Sequence, residues 1–149
     1  MSFSLREVTI QHNLFDSASG TEPSQTNLYY WIALDAIPSL QKRKVFTLLS
    51  HYTIEQLFNL NADQLAKHKL KPEQINAFLT PNSTHIEHCL EWQKSAADNH
   101  IISYEDPRYP ALLKQITSPP LLLFAQGDLS RLDSPQIAIV GSRSCTPYG

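Results

Sequence analysis

Gly141-Ser142-Arg143 is the tripeptide with the most chemical content in this chain. It follows Gln136-Ile137-Ala138-Ile139-Val140, a short apolar run that reads as a buried parallel strand feeding a glycine turn. That is where α/β folds present phosphate-binding backbone. Glycine lets the main chain approach a ligand, the serine hydroxyl and amide can bond phosphate oxygens, and arginine offers a bidentate fork for the same group. The bare pattern is neither G-x-G-x-x-G nor a P-loop, because no lysine follows, and a plain strand-end turn has the same letters. Ser144 to Gly149 supply a turn, but not the helix whose N-terminus would complete such a site.

Other reactive residues have plainer explanations. His85-x-x-His88-Cys89 puts two imidazoles on one helix face, yet a fourth metal ligand is not evident, and Cys89 reads as a small buried hydrophobe. Cys145 sits beside the glycine turn without a nearby His or Cys partner, which argues against a nucleophile. Glu105-Asp106 precede a proline turn and suit turn and capping roles better than an acid–base pair. Tyr29, Tyr30 and Trp31 can stack on bases, but aromatics on an amphipathic helix usually belong to the core. Lys42-Arg43-Lys44 can meet phosphates, although a solvated helix face explains so short a basic run.

The elements that must position these residues fall into two vocabularies. Residues 1–26 are polar and loop-like, with Asp16 to Ser24 rich in Ser, Gly, Thr and Pro. From residue 27 the spacing is helical: Leu28, Trp31, Ile32 and Ala36 mark a first helix ended by Pro38. Val45, Leu48, Leu49 and Tyr52 mark a second, which Ser39 is placed to cap. Three brief helices follow. Thr53 with Gln56 and Asn61 with Gln64 write capping boxes, and Pro72 opens the third between the staple residues Leu70 and Ile75. After Pro81, Ile86, Cys89, Leu90, Gln93 and Ala97 line one side of a longer helix ending near residues 98–100. Strand vocabulary then takes over: Ile101 to Tyr104, a helical turn within Ala111 to Ile116, Leu121 to Ala125, a turn at Gly127-Asp128, and Ile137 to Val140. The connection from the first strand to the second is long enough to make them parallel. The fold class is therefore α+β: an all-α bundle over residues 27–100, then the truncated start of a Rossmann-like sheet over residues 101–149.

With 149 residues and 42% hydrophobic content the chain can build a real core. No run approaches the roughly 18 apolar residues of a membrane span, and no apolar block behind Arg6 and Glu7 suggests a signal peptide, so the expected compartment is the cytoplasm. Cys89 and Cys145 fit no disulfide framework and read as unpaired thiols. A formal charge of -2 excludes a global basic field, so nucleic-acid binding would need a local patch.

Asp106-Pro-Arg-Tyr-Pro110, Leu112-Leu113, Ser118-Pro-Pro-Leu-Leu122, Gly127-Asp-Leu, Ile137-Ala-Ile-Val-Gly-Ser-Arg143 and Tyr148-Gly149 occur in this order, and together they closely resemble the DNA-processing protein A family (DprA, also called Smf). The helical part is similar to that family's N-terminal sterile-alpha-motif (SAM) or helix-hairpin-helix-like bundle. The resemblance implies a cytoplasmic mediator of DNA recombination in natural transformation. Such a protein binds single-stranded DNA and helps load the RecA recombinase, as a homodimer at full length, without a catalytic residue, cofactor or metal. It also implies that Arg143 contacts the DNA backbone, with Gly141 and Ser142 as the supporting turn. Relatives tend to carry a Gly-x-Gly hairpin after the first helix, whereas this chain reads Ile37-Pro-Ser-Leu-Gln41, which argues against direct DNA binding by the bundle. Without the helix that would follow the turn, weak binding of single-stranded DNA, or none, is expected. The rival readings are a nucleotide-phosphate-binding enzyme on a related Rossmann-like fold, and a helical module that binds a protein.

Overall fold

A computed structural model of the chain describes residues 25–135. Six helices come first: α1 (Gln25–Asp35), α2 (Lys42–Leu49), α3 (Ile54–Phe58), α4 (Ala62–Lys67), α5 (Pro72–Leu79) and α6 (Ser83–Ser95). Strands β1 (Asn99–Ser103) and β2 (Leu122–Gln126) follow, with single 3-10 turns at Leu113–Gln115 and Leu129–Asp133.

The central element is α1. The sequence suggests one apolar stripe ending at Ala36, but Leu28 and all of Trp31, Ile32, Ala33 and Leu34 are buried, while Ala36 is exposed. Four consecutive buried residues cover every direction around a helix, so α1 is surrounded rather than laid on a surface. It packs against α3, α6 and both strands. Trp31 is fully buried. The Tyr30 ring stacks on Phe58 at 5.1 Å, and Phe58 meets Phe78 at 5.2 Å. These aromatics are core, as their helical spacing suggests.

The short helices are fixed at their starts by the residues that predict them. Thr53 Oγ1 accepts from the Gln56 amide at 3.2 Å while Gln56 Oε1 accepts from the Thr53 amide at 3.0 Å. Asn61 and Gln64 make the same reciprocal pair, both bonds at 2.9 Å. Such a box satisfies two backbone donors that a helix start otherwise leaves to water. At α5 only half of it forms, because the lysine at the N-cap has no acceptor: Gln74 Oε1 takes the Lys71 amide at 3.0 Å. The Gln74 amide nitrogen instead donates to the carbonyl oxygens of Ser39 and Pro38, at 3.1 and 3.4 Å.

Ser39 does not cap α2. Gln41 occupies the N-cap and makes no side-chain cap bond, while Ser39 lies two residues earlier with φ 54. The turn thus takes the left-handed conformation at a position without glycine, with its carbonyl held by buried Gln74.

The strands correct a second expectation. β1 and β2 are antiparallel, with Ile101 opposite Phe124 and Ser103 opposite Leu122. Bonds from the Tyr104 amide to the Leu121 oxygen (2.9 Å) and from the Gly127 amide to the Asp98 oxygen (2.8 Å) bracket the pair. A parallel pair needs a crossover, usually a helix. Here four prolines in the connection, Pro107, Pro110, Pro119 and Pro120, leave only one 3-10 turn, and the chain doubles back. The overall class remains α+β. One hydrophobic cluster runs from Leu28 through the helices to Ile101, Leu121 and Leu122, so bundle and strands share a core.

Candidate nucleic-acid interface

Gly141, Ser142, Arg143 and Cys145 lie outside the described residues, as do the run Ile137 to Val140 and residues 1–24. The described residues do show the connection between β1 and β2, which carries much of the resemblance noted above.

That connection is organised around Asp106. Its side chain is fully buried, and its amide donates to the Ser103 carbonyl at 2.9 Å. One carboxylate oxygen accepts the Arg108 amide (2.8 Å) and Nε (3.0 Å), while the other accepts Arg108 Nη2 (2.7 Å). Burial alone would raise the Asp106 pKa, but the side-chain and backbone hydrogen bonds from Arg108, with the charges of Arg108 and Lys114, outweigh it and hold the carboxyl below its ordinary value. The result is a two-pronged clamp across a proline turn. Asp106 thus serves the turn, as the sequence suggests, and its oxygens are already committed.

Around the clamp is an aromatic cluster. The Tyr109 hydroxyl donates to the Pro120 carbonyl at 2.9 Å, tying the two ends of the connection together. Burial, with Tyr104 adjacent, raises the pKa of that phenol. Tyr104 lies between Tyr109 (5.4 Å) and Phe46 of α2 (4.8 Å), so the connection is docked on the bundle. Lys114 Nζ stands 5.0 Å from the Tyr104 ring and 5.5 Å from that of Tyr109, within cation–π range.

In the basic run at α2 only Arg43 is exposed, while Lys42 and Lys44 are half-buried. Lys42 pairs with Asp35 at 2.7 Å, and Arg43 borders a shallow groove with Phe46, Thr47, Ser50, Thr117 and Ser118. On α6, Cys89 Sγ lies 3.7 Å from His85 Nε2, and His85 and His88 are both exposed. Burial, aided by the negative charge of Asp35, pushes the Cys89 thiol up and keeps it neutral. Among the described residues no three His, Cys, Asp or Glu groups converge as metal ligands.

Three features escape the sequence. The Arg108 clamp has a local signal, the Asp-Pro-Arg spacing of an aspartate that bonds its own backbone two residues on. The Gln74 tie bridges positions 35 residues apart and has no local signal. The third is an open apolar groove beside β2, lined by Leu112, Leu113, Ile116, Leu123, Phe124 and Pro135 among others.

Comparison with known proteins accords with this arrangement. Residues 25–91 match the family model described as the SMF/DprA SAM domain, and residues 100–149 match DNA recombination-mediator protein A. The chain is similar to protein Smf of Escherichia coli (strain K12), 32% identical over 119 residues, covering 80% of this chain and 31% of that protein. It is also similar to DNA processing protein DprA of Streptococcus pneumoniae (strain ATCC BAA-255 / R6), 46% identical over 44 residues, which is 30% of this chain and 16% of that one. The chain thus spans less than a third of the curated relatives it matches. No solved structure matches it.

Proposed function

Since the chain belongs to the DprA/Smf family, we propose that it acts in DNA processing during natural transformation, binding single-stranded DNA and helping to pass that strand to the RecA recombinase. The observation that carries this reading is the succession of the two family segments, SAM domain then recombination-mediator segment, joined through one hydrophobic core. The role needs no chemistry on the strand, only a surface for phosphate and base, and we assign no catalytic residue, metal or cofactor. Arg143 is the proposed cation for the DNA backbone, with Gly141 and Ser142 as the turn that brings main-chain amides to phosphate. Dimerisation and a cytoplasmic location belong to the same proposal. No helix among the described residues is long and apolar enough to cross a membrane.

Titration of the isotope-labelled 149-residue chain with a short single-stranded oligonucleotide tests this. The amides of Gly141, Ser142 and Arg143 should shift with an affinity weaker than micromolar. Arg143→Ala should weaken binding further and flatten its salt dependence by about 0.7 in log–log slope, the loss of one single-strand phosphate contact. Equal affinity for duplex DNA, or full binding by Arg143→Ala, would remove the proposal. A mononucleotide that shifts the same amides more strongly than the oligonucleotide would move the reading to the nucleotide-binding enzyme.

A further inference from the structure

The hairpin between α1 and α2 has a counterpart between α4 and α5, in which Lys69 (φ 56) takes the place of Ser39 (φ 54). Leu70 and Lys71 then correspond to Leu40 and Gln41, and each hairpin enters an eight-residue helix whose N-cap makes no side-chain cap bond. The two differ in their charges. Around the first, Lys42 is paired with Asp35, and Arg43 alone of the basic run is exposed. Around the second, Lys67, Lys69 and Lys71 are all exposed. The one ion pair they make among the described residues, Lys71 with Glu73, is 3.8 Å long between side chains that are both more than half exposed. Such a pair contributes little, so these lysines form a basic patch on a chain whose net charge is -2. The patch has a fixed shape, because Leu70 is buried and His68 Nε2 lies 3.1 Å from the Tyr52 hydroxyl.

The main chain decides which anion suits it. A hairpin that grips phosphate does so through free amides. Here the Lys69 amide donates to the Ala66 carbonyl (2.8 Å), the His68 amide to the Leu65 carbonyl (3.1 Å) and the Lys71 amide to Gln74 Oε1 (3.0 Å), while Pro72 has no N–H. What remains is lysine side chains, with an apolar surface further along α5. Pro72, Asn76 and Leu79 fall at i, i+4 and i+7 on one side of that helix, and all three are exposed. Leu79, at 49% exposure, is the only exposed large apolar side chain on the helices among the described residues. From Pro72 to Leu79 the strip is about 10 Å long, and an extended peptide crosses that distance in about three residues. A sugar-phosphate backbone has nothing to place on Leu79, whereas a peptide can carry an apolar side chain a few residues from its carboxylates.

We propose that the lysine hairpin and the exposed side of α5 form a docking strip for an acidic segment of a partner protein. Carboxylates of that segment meet Lys67, Lys69 and Lys71, and an apolar residue of it covers Leu79. The strip involves neither Arg143 nor the recombination-mediator segment, so it stands whether or not the chain binds DNA.

The test is a titration of the isotope-labelled 149-residue chain with a peptide of four aspartates, a glycine, a leucine and a phenylalanine. A second peptide has serine in place of the two apolar residues, and single-stranded and duplex oligonucleotides complete the set. The first peptide should shift the amides of residues 67–71 and 76–79, and the serine peptide should bind about threefold more weakly. Replacing Lys67, Lys69 and Lys71 together by serine should weaken the first peptide about tenfold and flatten its salt dependence. Leu79→Ser should weaken it about threefold with the salt dependence unchanged. Alanine at Lys42, Arg43 and Lys44 should change nothing. Equal affinity for the two peptides, or no loss in Leu79→Ser, overturns the proposal and leaves a bare charged patch. Weakening by the Lys42, Arg43 and Lys44 replacement equal to that of the hairpin lysines overturns it as general charge attraction. Stronger shifts of residues 67–71 with either oligonucleotide overturn it in favour of a phosphate site.

Discussion

The Asp106–Arg108 pair shows how much a single residue here depends on its partner. Replacing a buried carboxylate's partner leaves a charge that the interior cannot solvate, so Arg108→Ala should cost about 2–4 kcal/mol near neutral pH, somewhat less than a wholly buried pair because the Arg108 side chain is one-third exposed. The pH dependence gives a sharper readout than the magnitude. In the intact chain the folded carboxyl binds its proton less tightly than the unfolded one, so its contribution is fully present above the ordinary aspartate value of about 3.9 and is lost as pH falls through the lower folded value. Arg108→Ala removes the side-chain hydrogen bonds and the guanidinium charge but keeps the main-chain amide of residue 108 and the Lys114 charge, so the folded carboxyl should titrate higher than in the intact chain. The rise of stability with pH through the carboxylate range should then be smaller. Urea denaturation of both proteins from acid to neutral pH measures the two slopes, and equal slopes would mean that the Arg108 side chain does not govern the carboxyl. Asp-Pro-Arg was legible as a turn from its letters. The burial that gives the pair its weight was not, because burial depends on packing between distant parts of the chain, which the letters of one turn do not carry.

At the scale of elements, the helix starts were legible where the signal is local and not where it is shared. Thr53/Gln56 and Asn61/Gln64 form both bonds of their boxes because each needs only residues three apart. The start of α2 was misjudged. Ser39 has the right side chain but the wrong backbone, since a residue with φ 54 cannot present its hydroxyl as an N-cap in the extended conformation does. The same strain makes two predictions. Ser39→Gly should stabilise the chain by about 0.5–1 kcal/mol, because glycine takes positive φ without the Cβ penalty. That corresponds to a melting temperature several degrees higher. Gln74→Leu should destabilise by about 1–3 kcal/mol, because it leaves the Ser39 carbonyl and the Lys71 amide without their partner. A calorimetric scan in which Ser39→Gly melts lower would show that the turn is not strained. The adjacent basic run supports the view that the bundle itself does not hold DNA. With Lys42 committed to Asp35, replacing Lys42, Arg43 and Lys44 by alanine should leave oligonucleotide affinity and its salt slope unchanged. A slope that falls by one or more would return the run to the interface. Strand direction was out of reach for a different reason: spacing bounds how far a connection can reach, but not that prolines will keep it from forming the helix a parallel crossover requires.

For the whole molecule the question is whether bundle and strands are two units or one. Composition changes near residue 100, and the two family segments meet between residues 91 and 100, which suggests a modular chain. The packing argues otherwise. Ile101, Leu121 and Leu122 lie in the same cluster as Leu28, Trp31 and Phe78, Trp92 of α6 meets Phe124 of β2 at 5.3 Å, and Phe46 of α2 meets Tyr104 at 4.8 Å. The Asn99 side chain adds a polar seam by donating to the last turn of α6, to the Trp92 carbonyl at 2.8 Å and Ser95 Oγ at 3.1 Å. Separating the strands would therefore expose the strand-facing side of α1 at roughly 25 cal/mol for each Å² of apolar surface, and would strip the end of α6 of its cap. We expect one cooperative thermal transition, with calorimetric and van't Hoff enthalpies equal, and a segment of residues 25–100 that melts well below the whole chain. Two resolved transitions, or an isolated helical segment as stable as the full chain, would restore the modular view and make the bundle a candidate for binding a protein partner by itself. A single transition would instead tie any ligand bound near residues 101–149 to the stability of the helices, because whatever binds the folded state stabilises all of it together.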